Sequence, residues 1–248
     1  PVHFAGLPVD MDALYELAQR RGLRVIEDAA HAIGSSYRNR RIGSFGDLVA
    51  FSFHPNKNLT TIEGGALSIR EPAEVRRIER LRFHGIERSS DGLDILEAGG
   101  KYNLTDVAAC VGLGQLHRLE QFNRRRRELA ERYFERLATE PPLHLPPRGD
   151  EGHSWHMFAP LLPLKRLPIG RESFIREMAA RGIGVGVHYP ALHLFTLYRE
   201  MGYKAGDFPN ADRVGLSTVT LPLYPALSED DVDRVCAACA QVLLSHRG

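Results

Sequence analysis

Lys57 stands in FSFHPNKNLTTIEGG (51–65), just beyond an apolar run, LVAFSF, that reads as a buried strand. The turn at Pro55 and the glycine pair Gly64-Gly65 frame it. A lysine at the mouth of a sheet is partly desolvated, which lowers its pKa and frees the amine to attack carbonyls. Asp28 closes another strand-like run, LRVIED, at its carboxyl end, the edge where open α/β sheets bind ligands. An amine and an acid at neighbouring strand ends suit pyridoxal phosphate. The amine takes the aldehyde, and the carboxylate keeps the ring nitrogen protonated so that the ring draws electrons. Ser52 and the small residues near it suit the phosphate. Each residue also has a plainer use. On spacing alone Asp28 is equally the cap of a short helix over AAHA, and lysine most often sits exposed in a loop.

Short apolar strands alternating with helices predict an α/β domain with a largely parallel sheet. Asp10 caps a helix over MDALYELAQRR that Gly22 ends. LRVIED, with Leu23, Val25 and Ile26 inward, LVAFSF and GALSI read as buried strands. RNRRIGSFGD is turn-rich, EVRRIERLRF is a helix, and SSDGLDILEAGG (89–100) is an exposed loop. Thr105 caps a long helical stretch, bent near Gly112 and Gly114, with Leu113, Leu116, Leu119, Leu129, Tyr133 and Leu137 near one stripe. PPLHLPPRGDEG marks a boundary loop. Beyond it, WHMFAPLLPL and GIGVGVHYP read as strands, and Glu172 to Arg181 and Ser228 to Ser245 as helices of a smaller α+β module.

Taken together, IEDAAHAIGSSY, GSFGDLVAFSFHPNKNLTTIEGGALSI, FHG and KYNLTDVAA resemble the sugar-nucleotide aminotransferases of the DegT/DnrJ/StrS family. The resemblance extends from PVHFAG at the start to GIGVGVHYPALH near the end. FSFH, two residues, then KN, with EGG and KYNLTD, resembles most the branch that makes UDP-4-amino-4-deoxy-L-arabinose. The resemblance implies fold-type I: part of a large, mostly parallel α/β/α domain over residues 1–118, and a smaller C-terminal α+β domain over 119–248. It implies pyridoxal 5′-phosphate on Lys57 as an internal aldimine, with Lys57 then shuttling the proton between the substrate's Cα and the cofactor. Asp28 pairs with the pyridine nitrogen, His31 with the ring hydroxyl, and Ser52 with the phosphate. Asn103 reaches the phosphate in a neighbouring subunit, which implies a homodimer with shared sites. His188 and Tyr189 lie near the substrate. The implied reaction moves an amino group from glutamate, leaving 2-oxoglutarate, to a nucleotide-linked 4-keto sugar, a UDP-4-keto-pentose before an NDP-4-keto-6-deoxyhexose. Read without the family, Asn103 is a turn residue before a cap, and His188-Tyr189 a half-buried strand pair.

Members of this family extend well before PVHFAG, so the N-terminal third is expected to be missing. It carries a Gly-Thr phosphate loop and the aromatic residue that stacks on the pyridine ring. The piece alone is then expected to be inactive, and a non-catalytic module of the same fold is the competing reading. A dehydratase of this fold replaces the lysine with histidine, and Lys57 is present.

The 248 residues are 43% hydrophobic and 25% charged, with a formal net charge of +1. No global field draws nucleic acid or an acidic membrane, and no apolar run reaches the length of a span. Arg124-Arg125-Arg126-Arg127 reads as a solvated helix face. Three cysteines close no disulfide framework and point to a reducing, cytoplasmic setting. Cys236 and Cys239, three apart on one helix face, read as small core residues, with no second pair to complete a metal site.

Overall fold

The computed structural model describes every residue except 91, 139–142, 151, 168 and 246–248. The expected loop over 89–100 and the boundary segment 141–152 therefore fall in part outside the described residues. The chain forms two compact units, Pro1–Asn123 with Asp150–Ser154, and Arg124–Gly149 with Trp155–Gly248.

In the first unit, α1 (Met11–Arg21) begins where the Asp10 carboxylate accepts the Ala13 N–H, and ends at Gly22 in the left-handed region. β1 (Ile26–Asp28) pairs parallel with β4 (Leu48–Ser52), setting Asp28 opposite Ala50. Between them lies a small hairpin, β2 (Ser36–Tyr37) and β3 (Arg40–Arg41). β5 (Gly65–Ile69) pairs with β4 antiparallel, Ser52 opposite Gly65. The sheet order is β1-β4-β5, so one of its two pairings is parallel. A small core of Ala29, Ala32, Ile42 and Val49 lies against it.

Three expectations for this region are corrected. In LRVIED only Val25 is buried as foreseen; Leu23 and Ile26 are exposed, because the face of β1 carrying Ile26 is uncovered among the described residues. The helix read as EVRRIERLRF begins earlier, as α2 (Pro72–Leu81), because proline suits a first turn that needs no N–H donor. The segment read as a loop over 89–100 contains a strand. β6 (Ile86–Ser89) and β7 (Gly92–Ile95) form an exposed antiparallel hairpin, Ser89 opposite Gly92. Thr105 does cap the next helix, α3 (Asp106–Leu116), and the break falls just past the two glycines, before α4 (Leu119–Leu137). Leu113 and Leu116 are exposed, whereas Leu119, Leu129, Tyr133 and Leu137 are buried, so the apolar stripe is divided at that break.

The second unit is built on α4 beyond Asn123, on α5 (Arg171–Ala180), on two helices not foreseen, α6 (Thr196–Glu200) and α7 (Pro209–Ser217), and on α8 (Glu229–Leu244). Ser228 and Asp231 form a reciprocal capping box at the start of α8. Among the described residues the two expected strands are extended segments that make isolated bridges, Phe158 to Leu221, Leu161 to His144 and to Thr218, and Gly186 to Thr220. Proline supplies the reason: Pro160 and Pro163 have no N–H with which to continue a ladder. Tyr133 and Phe158 stack at 4.7 Å within a core that includes Leu129, Phe174, Met178 and Val242.

The arginine run is also corrected. Arg126 is buried, and its Nη1 donates to the carbonyls of Trp155, His156 and Leu223 at 3.3, 3.2 and 2.8 Å. Burial pulls its pKa down to about 10. Cys236 and Cys239 are buried as expected, burial pushing the Cys236 thiol up to about 12. Among the described residues no group of acids, histidines and cysteines could hold a metal ion, and no helix is long and apolar enough to cross a membrane.

Leu129 has no exposed surface, so Leu129→Ala is expected to cost about 2–5 kcal/mol in urea unfolding. Leu17→Ala, at an exposed position, is expected to stay within about 0.5 kcal/mol. Equal losses in the two variants would contradict the core described here.

Candidate active site

The parallel β1–β4 pair carries Asp28 and Ser52 to the same, carboxyl edge of the sheet. β4 then leaves that edge and β5 returns to it, so the connecting residues 53–64 form a loop rooted there. Its neck is closed by the backbone of Phe53. The Phe53 N–H donates to Gly64 O at 2.9 Å, and Phe53 O accepts from the Thr61 N–H and the Thr60 hydroxyl, each at 3.0 Å. Gly64, at φ +151°, is needed in this neck, since a Cβ there would stand 2.5 Å from Thr61 Oγ1. Thr60 and Thr61 thus close the loop that bears Lys57. Within it, the Lys57 N–H bonds His54 O at 3.0 Å and makes a tight turn through Pro55. His54, Pro55 and Asn56 are exposed, Lys57 is half-buried, and Asn58 and Leu59 are buried.

Desolvation lowers the Lys57 pKa below its ordinary value, and the negative charge of Asp28 acts in the opposite direction. Asp28 feels its own segment as well: its Oδ1 accepts the Ala30 N–H at 2.9 Å, and residues 29–34 run as turns. The short helix over AAHA is therefore absent, and the carboxylate steadies a turn. His31 is buried, edge-on to Phe4, and its Nδ1 accepts the Ala5 N–H at 3.3 Å. In the neutral ring that bond leaves the proton on Nε2. Ser52 Oγ accepts the His54 N–H at 3.4 Å at the lip of the same edge.

A desolvated amine, a carboxylate acting on it, a histidine with a defined tautomer and a hydroxyl fit the functional groups of pyridoxal phosphate. Lys57, Asp28, His31 and Ser52 are thus the residues that could hold such a group. Asn103 lies outside this group. It is exposed and lines a cavity of about 440 Å³ with Thr61, Gly64, Gly65 and Tyr102, none of whose lining residues is Lys57, Asp28, His31 or Ser52. His188 and Tyr189 belong to the second unit. There His188 Nδ1 lies 2.8 Å from Thr220 Oγ1, its carbonyl accepts the Thr218 hydroxyl at 3.3 Å, and Tyr189 is exposed.

Behind Asp28 the structure reveals a buried polar group that sequence reasoning did not single out. Glu27 Oε2 pairs with His3 Nε2 at 2.9 Å, and Glu27 Oε1 accepts the Tyr15 hydroxyl at 2.7 Å. His3 Nδ1 accepts the Val9 N–H, so Nε2 carries the proton given to Glu27. Tyr15 in turn accepts the Asp47 N–H at 2.8 Å, and burial raises its pKa. The available signal was an acid inside a strand, which must find partners when buried.

Because the folded-state pKa of Lys57 is depressed, the unfolded chain binds more protons between that value and 10.5, and stability rises with pH across the interval. Lys57→Met removes the desolvated cation. It is expected to exceed the parent in stability near neutral pH and to lose that advantage as the pH approaches 10.5. Urea unfolding over a pH series measures this; a variant no more stable than the parent near neutrality would contradict the desolvation.

Comparison with known proteins identifies the family. Residues 1–240 match the model of the DegT/DnrJ/EryC1/StrS aminotransferase family. An uncharacterized protein of Methanocaldococcus jannaschii is 41% identical over 258 residues, which cover 100% of this chain and 67% of that protein. Spr1654 from Streptococcus pneumoniae, solved in PMP-form and PLP-form, is similar at 30% identity over 99% of this chain, with TM-scores of 0.90 and 0.89 over 67% and 68% of those chains. DesI, solved in the presence of its TDP-sugar product, gives 0.86 at 27% identity, over 98% of this chain and 61% of that one. This chain belongs to the DegT/DnrJ/EryC1/StrS aminotransferases, fold-type I proteins that bind pyridoxal 5′-phosphate.

Proposed function

We propose that the protein transfers an amino group from glutamate to a nucleotide-linked 4-keto sugar, with Lys57 as the catalytic amine. The observation that carries this reading is the desolvated Lys57 on a loop rooted at the sheet edge where Asp28 ends β1. Bound pyridoxal phosphate supplies an aldehyde that takes an amine and a ring that draws electrons from the substrate carbon. Lys57 would hold the cofactor through its Nζ, and the same amine would hold or move the proton at the substrate carbon. Desolvation favours its neutral form, which both tasks need. Asp28 would keep the pyridine nitrogen protonated, His31 would serve the ring hydroxyl through its Nε2–H, and Ser52 would serve the phosphate.

A UDP-4-keto-pentose is the acceptor favoured by the FSFH and KYNLTD motifs. That DesI carries a TDP-sugar product supports the wider class of nucleotide sugars. His188 and Tyr189 are assigned to the sugar side of the site. A second copy of the chain completes the site in this reading, Asn103 reaching the phosphate bound by its partner. The exposed apolar residues Tyr102 and Val107, which line the cavity with Asn103, and Leu113 and Leu116 further along α3 support such pairing. The relatives exceed this chain by about a third of their length. In a reducing cytoplasm its cysteines stay free.

Borohydride reduction in the presence of pyridoxal phosphate, followed by peptide mapping, tests the reading. The added mass is expected at Lys57 alone and is expected to vanish in Lys57→Ala. Adding glutamate to the N-terminally extended protein should then release 2-oxoglutarate, with higher kcat/KM for a UDP-4-keto-pentose than for a dTDP-4-keto-6-deoxyhexose. A folded, extended protein that takes no label would leave the non-catalytic module as the better account.

A further inference from the structure

We infer that Asn58 is a positioning residue that ties the Lys57 loop to the Asp28–His31 segment through a buried amide clamp, and so sets where the amine stands. The exposed half of the loop, His54 to Asn56, cannot hold Lys57 by packing. The buried residue next to it can. Asn58 is 4% exposed, and its Nδ2 donates to Asn123 Oδ1 and to Ser154 O, both at 2.9 Å. Asn123, 6% exposed, passes its own Nδ2–H to Ile33 O at 3.1 Å. Ser154 Oγ bonds the Ser35 hydroxyl at 2.8 Å and the His31 carbonyl at 3.3 Å. Both arms of the clamp therefore end on residues 31–35, the turn that begins with Asp28 and contains His31. The amine lies on one side of the clamp, and the acid and imidazole on the other.

The arrangement leaves little slack. Gly34, at φ +80°, sits where a Cβ would fall 2.4 Å from Asn123 Nδ2, so glycine there serves both the backbone turn and the approach of the amide. Asn58 offers two N–H groups to two acceptors, and the amide orientation follows from that pattern. An aspartate of the same shape would offer only acceptors to the same two oxygens. The charged group acting on Lys57 from the neighbouring strand is Asp28, and the titratable group in its own turn is His54, which pairs with Asn56 Oδ1. A change at Asn58 alters neither of them chemically, so a changed Lys57 reports a changed position.

The consequence for cofactor capture rests on the reading of Lys57 as the amine that takes an aldehyde, and the experiment separates the two claims. Acetic anhydride in trace amounts labels each lysine of the full chain at a rate that reports its neutral fraction, and mass spectrometry reads each site across a pH series. Lys101, Lys165 and Lys204, all exposed, serve as internal references. In the parent the Lys57 midpoint is expected below theirs. In Asn58→Ala it is expected to rise toward theirs, and further trapping of pyridoxal phosphate at Lys57 should slow by about tenfold or more. Asn58→Ala with Asn123→Ala should be no worse than Asn58→Ala alone, since one clamp is removed once. Should Asn58→Ala fail to fold, Asn123→Ala removes one arm and leaves the Ser154 bond, and its midpoint decides the question. An unchanged Lys57 midpoint in folded Asn58→Ala overturns the inference. A shifted midpoint in a protein that never traps the aldehyde supports the clamp and sinks the aminotransferase reading instead.

Discussion

The carbonyl of Phe53 is the point on which the Lys57 side of the site depends. It accepts two hydrogen bonds, from the Thr61 backbone and the Thr60 hydroxyl, while the amide of the same residue reaches Gly64. These bonds close residues 53–64 into a loop at the place where the antiparallel β4–β5 pair opens. An unpinned loop of this size would have to lose a large conformational entropy before it could present one side chain in one place. Here the strands have already incurred that cost. The remaining freedom lies in the turn from His54 to Lys57, which its own backbone bond restricts. Because β1 runs parallel to β4, the acid at the end of β1 reaches the same edge without any special loop of its own.

The second unit uses a different device for a similar end. Its extended segments contain prolines and cannot form a continuous ladder, yet their carbonyls are buried and need donors. Arg126 meets that need from α4 by giving one guanidinium nitrogen to three carbonyls. No carboxylate is among those partners, so the cation is held by dipoles, and its lowered pKa follows from burial alone. Ion pairs lie instead at the rim of the unit, where Arg132 and Arg136 share Asp233 and contribute modestly because solvent screens them. Packing around Tyr133, Phe158 and Trp155 supplies the bulk of the cohesion.

Local signals in the sequence were read correctly where the cause is local. The Asp10 and Thr105 caps, the Gly22 stop and the strand run into Lys57 each depend on neighbours a few residues away. The readings that fail turn either on remote pairing partners or on strands too polar to stand out. GALSI carries no mark of its antiparallel direction, IERS and GLDI are too polar to announce a hairpin, and the extended segments look apolar enough for strands until their prolines are weighed against remote partners. Arg126 looks like its neighbours in a basic run, since nothing within the run says which arginine faces inward. At the site the same division holds. Lys57 and Asp28 stand out because strand ends are chemically meaningful positions, whereas Asn58, Asn123 and Ser154 are brought together by the fold across long stretches of chain and carry no spacing signature.

Two opposed influences act on Lys57, and their balance explains the form of the site. Desolvation disfavours the ammonium, while Asp28 favours it, and desolvation is the larger. A fully exposed lysine would remain charged near neutrality and make a poor nucleophile. A lysine buried with no acid nearby would be costly for the fold to hold whenever it was charged. Half-burial on a pinned loop, with a carboxylate at the next strand end, sits between these limits. The negative charge moderates the cost of burying the amine without cancelling the shift. Asp28 can do this at the sheet edge because its second task, accepting the Ala30 N–H, fixes its direction. One side chain thus steadies its own turn and tempers the reactivity of an amine on another strand, and the parallel register of β1 and β4 makes both possible.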